Sequence, residues 1–293
     1  MNDMADYLVY RARLVPLLAF VILVACLASI FHAAGLWLPE ELPPLFTSDE
    51  ELLGQLLMLT IAGGYIPAVV ILAQRRSLSY AEELHVSGLF ADHPDNWLRP
   101  IPWRWLTLGA LAGLAYGTLF NLPFDWLRQL TSLNSQALGL IFGQNLLWTL
   151  TGAAIAYRLY TARLLDRRAA QITVDIYRPT RLTPLARNGA NDVLLLAGGM
   201  ALSVLQSLDA QFRLVNYLSA MLVIVPAAAY LLYRPMHNVH RKLVDQKTEF
   251  LAAINLQISE RAQGGGPTPE LELLLQHRDR LKQSHTWPFD LAL

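Results

Sequence analysis

Cysteine is almost missing from this chain, and lysine nearly so. Cys26 is the single cysteine in 293 residues, so no internal disulfide and no cysteine-based zinc centre is available. Charged residues make up only 16% of the sequence, against about 25% in ordinary soluble domains. Formal net charge is zero, which removes the basic field that attracts nucleic acid. Catalytic strings are missing as well: there is no HExxH, no GxSxG, no Walker A loop and no dinucleotide GxGxxG. These absences point away from a nucleic-acid binder and from an enzyme, and they imply no cofactor and no metal.

Apolar residues are what the chain has in quantity: 54% of the total, with a positive mean hydropathy. They come in long runs without period-2 alternation, and in lipid such runs satisfy their backbone as helices. The expected fold is an all-α integral membrane protein, a six-helix transmembrane bundle over residues 1–234. Its spans are expected at 14–38, 52–73, 105–122, 138–160, 193–208 and 215–233. The fifth is short enough to be a re-entrant or tilted element. Leu23-Val24-Ala25-Cys26 has the form of a lipoprotein cleavage box, but the apolar run continues past it. Cys26 is therefore expected as a small buried residue of an uncleaved first helix.

Charge placement orients this threading. Only two of the 23 basic residues, Arg128 and Arg213, fall on one side, together with seven acids including Glu40, Glu41, Asp125 and Asp209. The other side holds 21 bases and 16 acids, giving −5 against +5. Basic residues near span ends stay cytoplasmic, so both termini are expected inside, in a bacterial cytoplasmic (inner) membrane. Trp37, Trp103, Trp105 and Trp126 fall near span ends, where indole rings favour the headgroup region.

Candidate functional residues lie within the spans. Gly109, Gly113 and Gly117 share one face of the third span, a helix-packing or oligomer face. Gly63, Gly64 and Pro67 mark a candidate hinge in the second. Gln144 and Asn145 in the fourth span, with Gln55 and Gln206 from others, form a candidate polar network or pore lining. The two fourth-span amides diverge by about 100°. No Asp, Glu or Lys falls inside an expected span, which argues against an ion-coupled transporter or a voltage sensor. Arg158 is expected to snorkel to the interface.

After Arg234 the chain turns polar. Arg234, Arg241 and Lys242 are expected to contact anionic lipid, while His237 and His240 lack a third ligand of matched spacing. Residues 235–293 are expected as a cytosolic antiparallel helical hairpin. Gly264–Pro267 would be its break, Thr268 a cap for the second helix, and Trp287-Pro288-Phe289 its end. The expected partners are the bilayer, a second copy of the chain and a cytosolic protein held through residues 236–293. The expected function is a self-associating scaffold or signal-transmitting component without catalytic activity. The rival expectation is a channel or facilitator lined by neutral polar groups of the fourth span.

Overall fold

The computed structural model describes residues 2–39, 41–43, 46–89, 101–120, 135–172, 175–177, 179–208, 214–263 and 269–284. Arg128 and Arg213, the acids Glu40, Asp125 and Asp209 expected outside, Trp126, the expected break at Gly264–Pro267, the expected cap Thr268 and residues 287–289 lie outside them. Every regular element among the described residues is helical. In chain order they are α1 (Asn2–Ala33), α2 (Asp49–Val86), α3 (Trp103–Phe120), α4 (Ser135–Ala169), α5 (Thr183–Ala201), α6 (Leu214–Gln263) and α7 (Pro269–Gln283). Short 3-10 turns occupy Pro179–Leu182 and Leu202–Ser207.

Among the described residues, five helical stretches are long and apolar enough to cross a membrane: Leu14–Ala33, Asp49–Val86, Ser135–Ala169, Thr183–Ser207 and Tyr217–Gln263. This is the pattern of a multi-pass membrane protein. The third expected span, α3, is not among the five. It has 18 residues, and Arg104, two tryptophans and three glycines dilute its apolar content.

Several helix ends differ from expectation for local reasons. α1 stops at Ala33 rather than Leu38 because Gly35 adopts φ +72°. Its amide bonds the His32 carbonyl, and the Leu36 amide bonds that of Phe31, which is a Schellman ending. The Trp37 indole then folds back to the Ala28 carbonyl. α2 starts after Ser48, whose hydroxyl accepts from the Glu51 amide, while the Glu51 carboxylate accepts from Thr47. It continues thirteen residues past the expected end at Ala73 and closes on Gly88, at φ +73°.

The chain divides into two compact units. The first takes Met1–Ser77, Leu98–Thr161 and Asn191–Leu231. Its core gathers Leu27 and Phe31 of α1, Leu52, Leu56 and Leu59 of α2, and Leu140 of α4. Leu27 and Phe31 lie four apart and point inward, so Cys26 falls on a different face. It is exposed, contrary to the expectation of burial. Val15, Leu17, Leu18, Val21 and Ile22 are exposed with it. Such a surface is unfavourable in water but normal against lipid.

The second unit takes Leu78–Trp97, Ala162–Ala190 and Leu232–Leu293. Leu84, Ile172, Ile176, Leu182, Leu185, Met236, Val239 and Leu243 form its core, which Ile254 and Leu281 join. Its polar contacts are local. Buried Asp166 accepts from Asn238 Nδ2 at 2.7 Å and pairs with Arg234 Nε at 3.0 Å. Lys242 donates to the carbonyls of Ala170 and Ile172 beyond the end of α4. Lys247 donates to the carbonyls of Lys282 and Ser284, and Arg261 pairs with Glu270.

Candidate functional site: a cavity within the first unit

A cavity of about 560 Å³ lies inside the first unit, within the usual size range of small-molecule sites. On α2 its lining follows one helical stripe: Glu51, Gln55, Met58, Ala62, Tyr65, Val69 and Ala73. At 1.5 Å per residue that stripe is about 33 Å long, close to the thickness of a bilayer core. α4 contributes Gln144, Trp148, Thr151, Ile155 and Arg158, and α5 contributes Asp192, Leu195 and Gly199. Most of the wall is apolar; two clusters of polar groups stand out beside single polar side chains such as Tyr65, Tyr116 and Thr151.

The first polar place joins three of the residues singled out in the sequence. Gln206 Nε2 donates to Gln55 Oε1 at 2.7 Å, and Gln55 Nε2 donates to Gln144 Oε1 at 3.2 Å. One chain of amides thus ties α2, α4 and the 3-10 turn after α5. Interhelical bonds of this kind contribute about 0.6–1.7 kcal/mol each. Asn145 is not part of it. It sits about 100° round the helix, accepts from Thr118 Oγ1 at 3.0 Å and donates to the Ile141 carbonyl. It binds α3 to α4 and does not line the cavity.

The second polar place is an ion pair. Arg158 Nη2 lies 2.6 Å from Asp192 Oδ1, donates to Asp192 Oδ2 at 2.8 Å, and donates to Ser77 Oγ at 3.0 Å. Both charged residues are buried, at 5% and 3% exposure. Arg158 therefore does not snorkel. The reason is that α5 begins at Thr183, not at Val193, and carries Asp192 to the middle of a helix opposite the guanidinium. Asn191 beside it accepts from Arg76. Asp192 was missed because it immediately precedes the apolar run taken as the span. A buried arginine that needs a counter-ion, with Thr183-Pro184 as a helix start, is the signal that could have found it.

The remaining candidates serve packing. A Cβ on Gly109 would fall on the Gly152 carbonyl, one on Gly113 on the Trp148 carbonyl, and one on Gly117 3.0 Å from the Trp148 side chain. This glycine face is filled by α4 of the same chain. Gly63 and Gly64 admit Leu27 and Val24 of α1, and α2 runs without a break through Pro67. Tyr65 crosses to α5, where its hydroxyl donates to the Leu195 carbonyl at 2.9 Å and fills the space above Gly198. Of the three basic residues assigned to lipid, Arg234 and Lys242 are engaged by Asp166 and by backbone carbonyls. Arg241 is exposed. Among the described residues no three of His, Cys, Asp or Glu converge as a metal site, and His237 bonds the Tyr233 hydroxyl.

Comparison with known proteins adds nothing to this geometry: no family, no curated protein and no solved structure matches the chain.

Proposed function

We propose that this is a six-span protein of the bacterial inner membrane, with both termini cytoplasmic, whose bundle receives a lipophilic small molecule without transforming it. The observation that carries the reading is the cavity itself. A mostly apolar wall with two clusters of polar groups suits a molecule with a greasy body and few polar atoms. Helix directions in the first unit support the threading. Val24 and Phe31 of α1 meet Gly64 and Leu59 of α2 in reverse order, and Gly109 and Gly117 of α3 meet Ala156 and Trp148 of α4 likewise. α4 runs with α2 and α5 against it, as the glutamine chain and the ion pair fix. At about 27 Å, α3 is long enough to be the sixth span.

The cytosolic tail is read as an antiparallel helical hairpin, supported by the pairing of Lys247 with the end of α7 and of Arg261 with its start. Leu256 and Leu273 stand exposed on it and offer a surface to a cytosolic partner, the scaffold reading. Self-association through the glycine face is not part of the proposal, because α4 already occupies that face.

Photolabelling tests the cavity. A diazirine-bearing alkane, irradiated with the protein in nanodiscs, is expected to mark lining peptides around Val69, Ile155 and Leu195. Gly199→Leu is expected to cut that labelling about tenfold without loss of fold. The nearest atom to a Cβ at Gly199 is 3.5 Å away, so the larger side chain enters the open space. Labelling confined to outer residues such as Leu17 and Leu111 would remove the binding reading.

A further inference from the structure

Both polar places of the cavity hold hydrogen-bonding groups that remain unpaired among the described residues, and their sign identifies the ligand. Arg158 uses only Nη2; its Nε and Nη1 are buried with no partner, whereas Asp192 Oδ1, though without a hydrogen bond, is compensated by Nη2 at 2.6 Å. At the glutamine chain a single acceptor, Gln206 Oε1, is left over. A buried donor without an acceptor is costly, more so on a charged group, and such orphans in a folded protein call for a physical reason.

Charge narrows the choice of acceptor. Arg158 and Asp192 together are neutral, so a carboxylate or phosphate entering here would be desolvated beside an existing aspartate. An uncharged carbonyl oxygen accepts from Nε and Nη1 without that penalty. The guanidinium is held by Asp192 and Ser77 on one edge, which leaves its other donors fixed rather than free to turn away. Val69, Ile155 and Leu195 supply the apolar wall for the rest of such a molecule.

Resting on the binding reading above, we infer that the cavity takes an uncharged lipophile bearing a carbonyl or ester oxygen, and that Arg158 Nε and Nη1 are the donors that select it. Arg158 is thereby a specificity residue as well as half of an ion pair.

The test is competition against the diazirine photoprobe in nanodiscs by three molecules of equal chain length. These are 2-undecanone, undecanoate kept ionised, and undecane, each dosed per mole of lipid after its partitioning is measured. The ketone is expected to protect the lining peptides at about one tenth the dose of either competitor, the worth of one hydrogen bond to a charged donor. Arg158→Lys keeps the charge opposite Asp192 but loses the forked donors, and is expected to abolish the advantage of the ketone. Equal protection by all three molecules, or stronger protection by undecanoate, would overturn the inference on the wild-type protein alone, whatever the variant does. An unchanged ketone advantage in a folded Arg158→Lys protein would overturn it too. Failure of the photoprobe to reach the cavity at all would instead remove the binding reading on which this rests.

Discussion

Asp192→Leu is expected to destabilise the protein by about 3–5 kcal/mol, the usual cost of stripping a buried charge of its partner. The loss should be read as a lower unfolding midpoint in detergent or a shorter lifetime in denaturant. Arg158 would be left 5% exposed, holding only the Ser77 hydroxyl. The paired replacement R158M/D192L should recover most of the loss, because two apolar side chains of similar volume remove both the charge and its need for a partner. It should also lose the preference for the ketone. Stability and selectivity would then separate, since the pair holds the guanidinium in place while the ligand reads its outer edge. A single Asp192→Leu protein as stable as the wild type would mean that the two groups do not meet in the membrane.

The glycine face gives the second large effect. Gly113→Leu would drive a side chain into the Trp148 carbonyl, and neither α3 nor α4 can yield, because Gly152 and Gly113 already touch backbone to backbone. A cost of about 3 kcal/mol or more is expected, at the upper end for overpacking because the obstacle is main chain. Leu111→Ala on the same helix is the control. Leu111 is 61% exposed and faces lipid in this account, so its truncation should stay within about 0.5 kcal/mol. Equal effects from the two substitutions would mean that α3 does not pack on α4 through its glycines. Destabilisation that follows oligomer size rather than the monomer fold would return the face to a second copy.

Much of this was legible because lipid imposes strong rules. Long apolar runs had to become helices, and α1, α2, α4, α5 and α6 each carry one. Gln55, Gln144 and Gln206 stood out as amides with few ways to be satisfied in hydrocarbon, and the fold joins all three. The 100° step between neighbours likewise separates Gln144 from Asn145. What was not legible was pairing across the chain. A hydropathy boundary cut α5 at Val193 and hid Asp192, although the helix begins ten residues earlier, so no acid fell inside the span as it was drawn. The glycine face read as an inner contact first and an outer one second, since small residues permit close approach without naming the partner. The basic cluster after the last apolar run looked like a lipid contact because the carbonyls beyond α4 and buried Asp166, which engage Lys242 and Arg234, are about seventy residues away in sequence.

The scarcity of cysteine provides the most direct check on the whole account. Cys26 is native, single and exposed on α1, among apolar side chains that have no reason to face water. A nitroxide placed on it in reconstituted bilayers can be relaxed by oxygen, which concentrates in hydrocarbon, or by a nickel chelate, which stays in water. Strong relaxation by oxygen with almost none by nickel is the expected result for a site in the middle of a lipid-facing span. Relaxation by the nickel chelate at the level of a freely hydrated label would contradict it, and with it the membrane bundle and the cavity inside it.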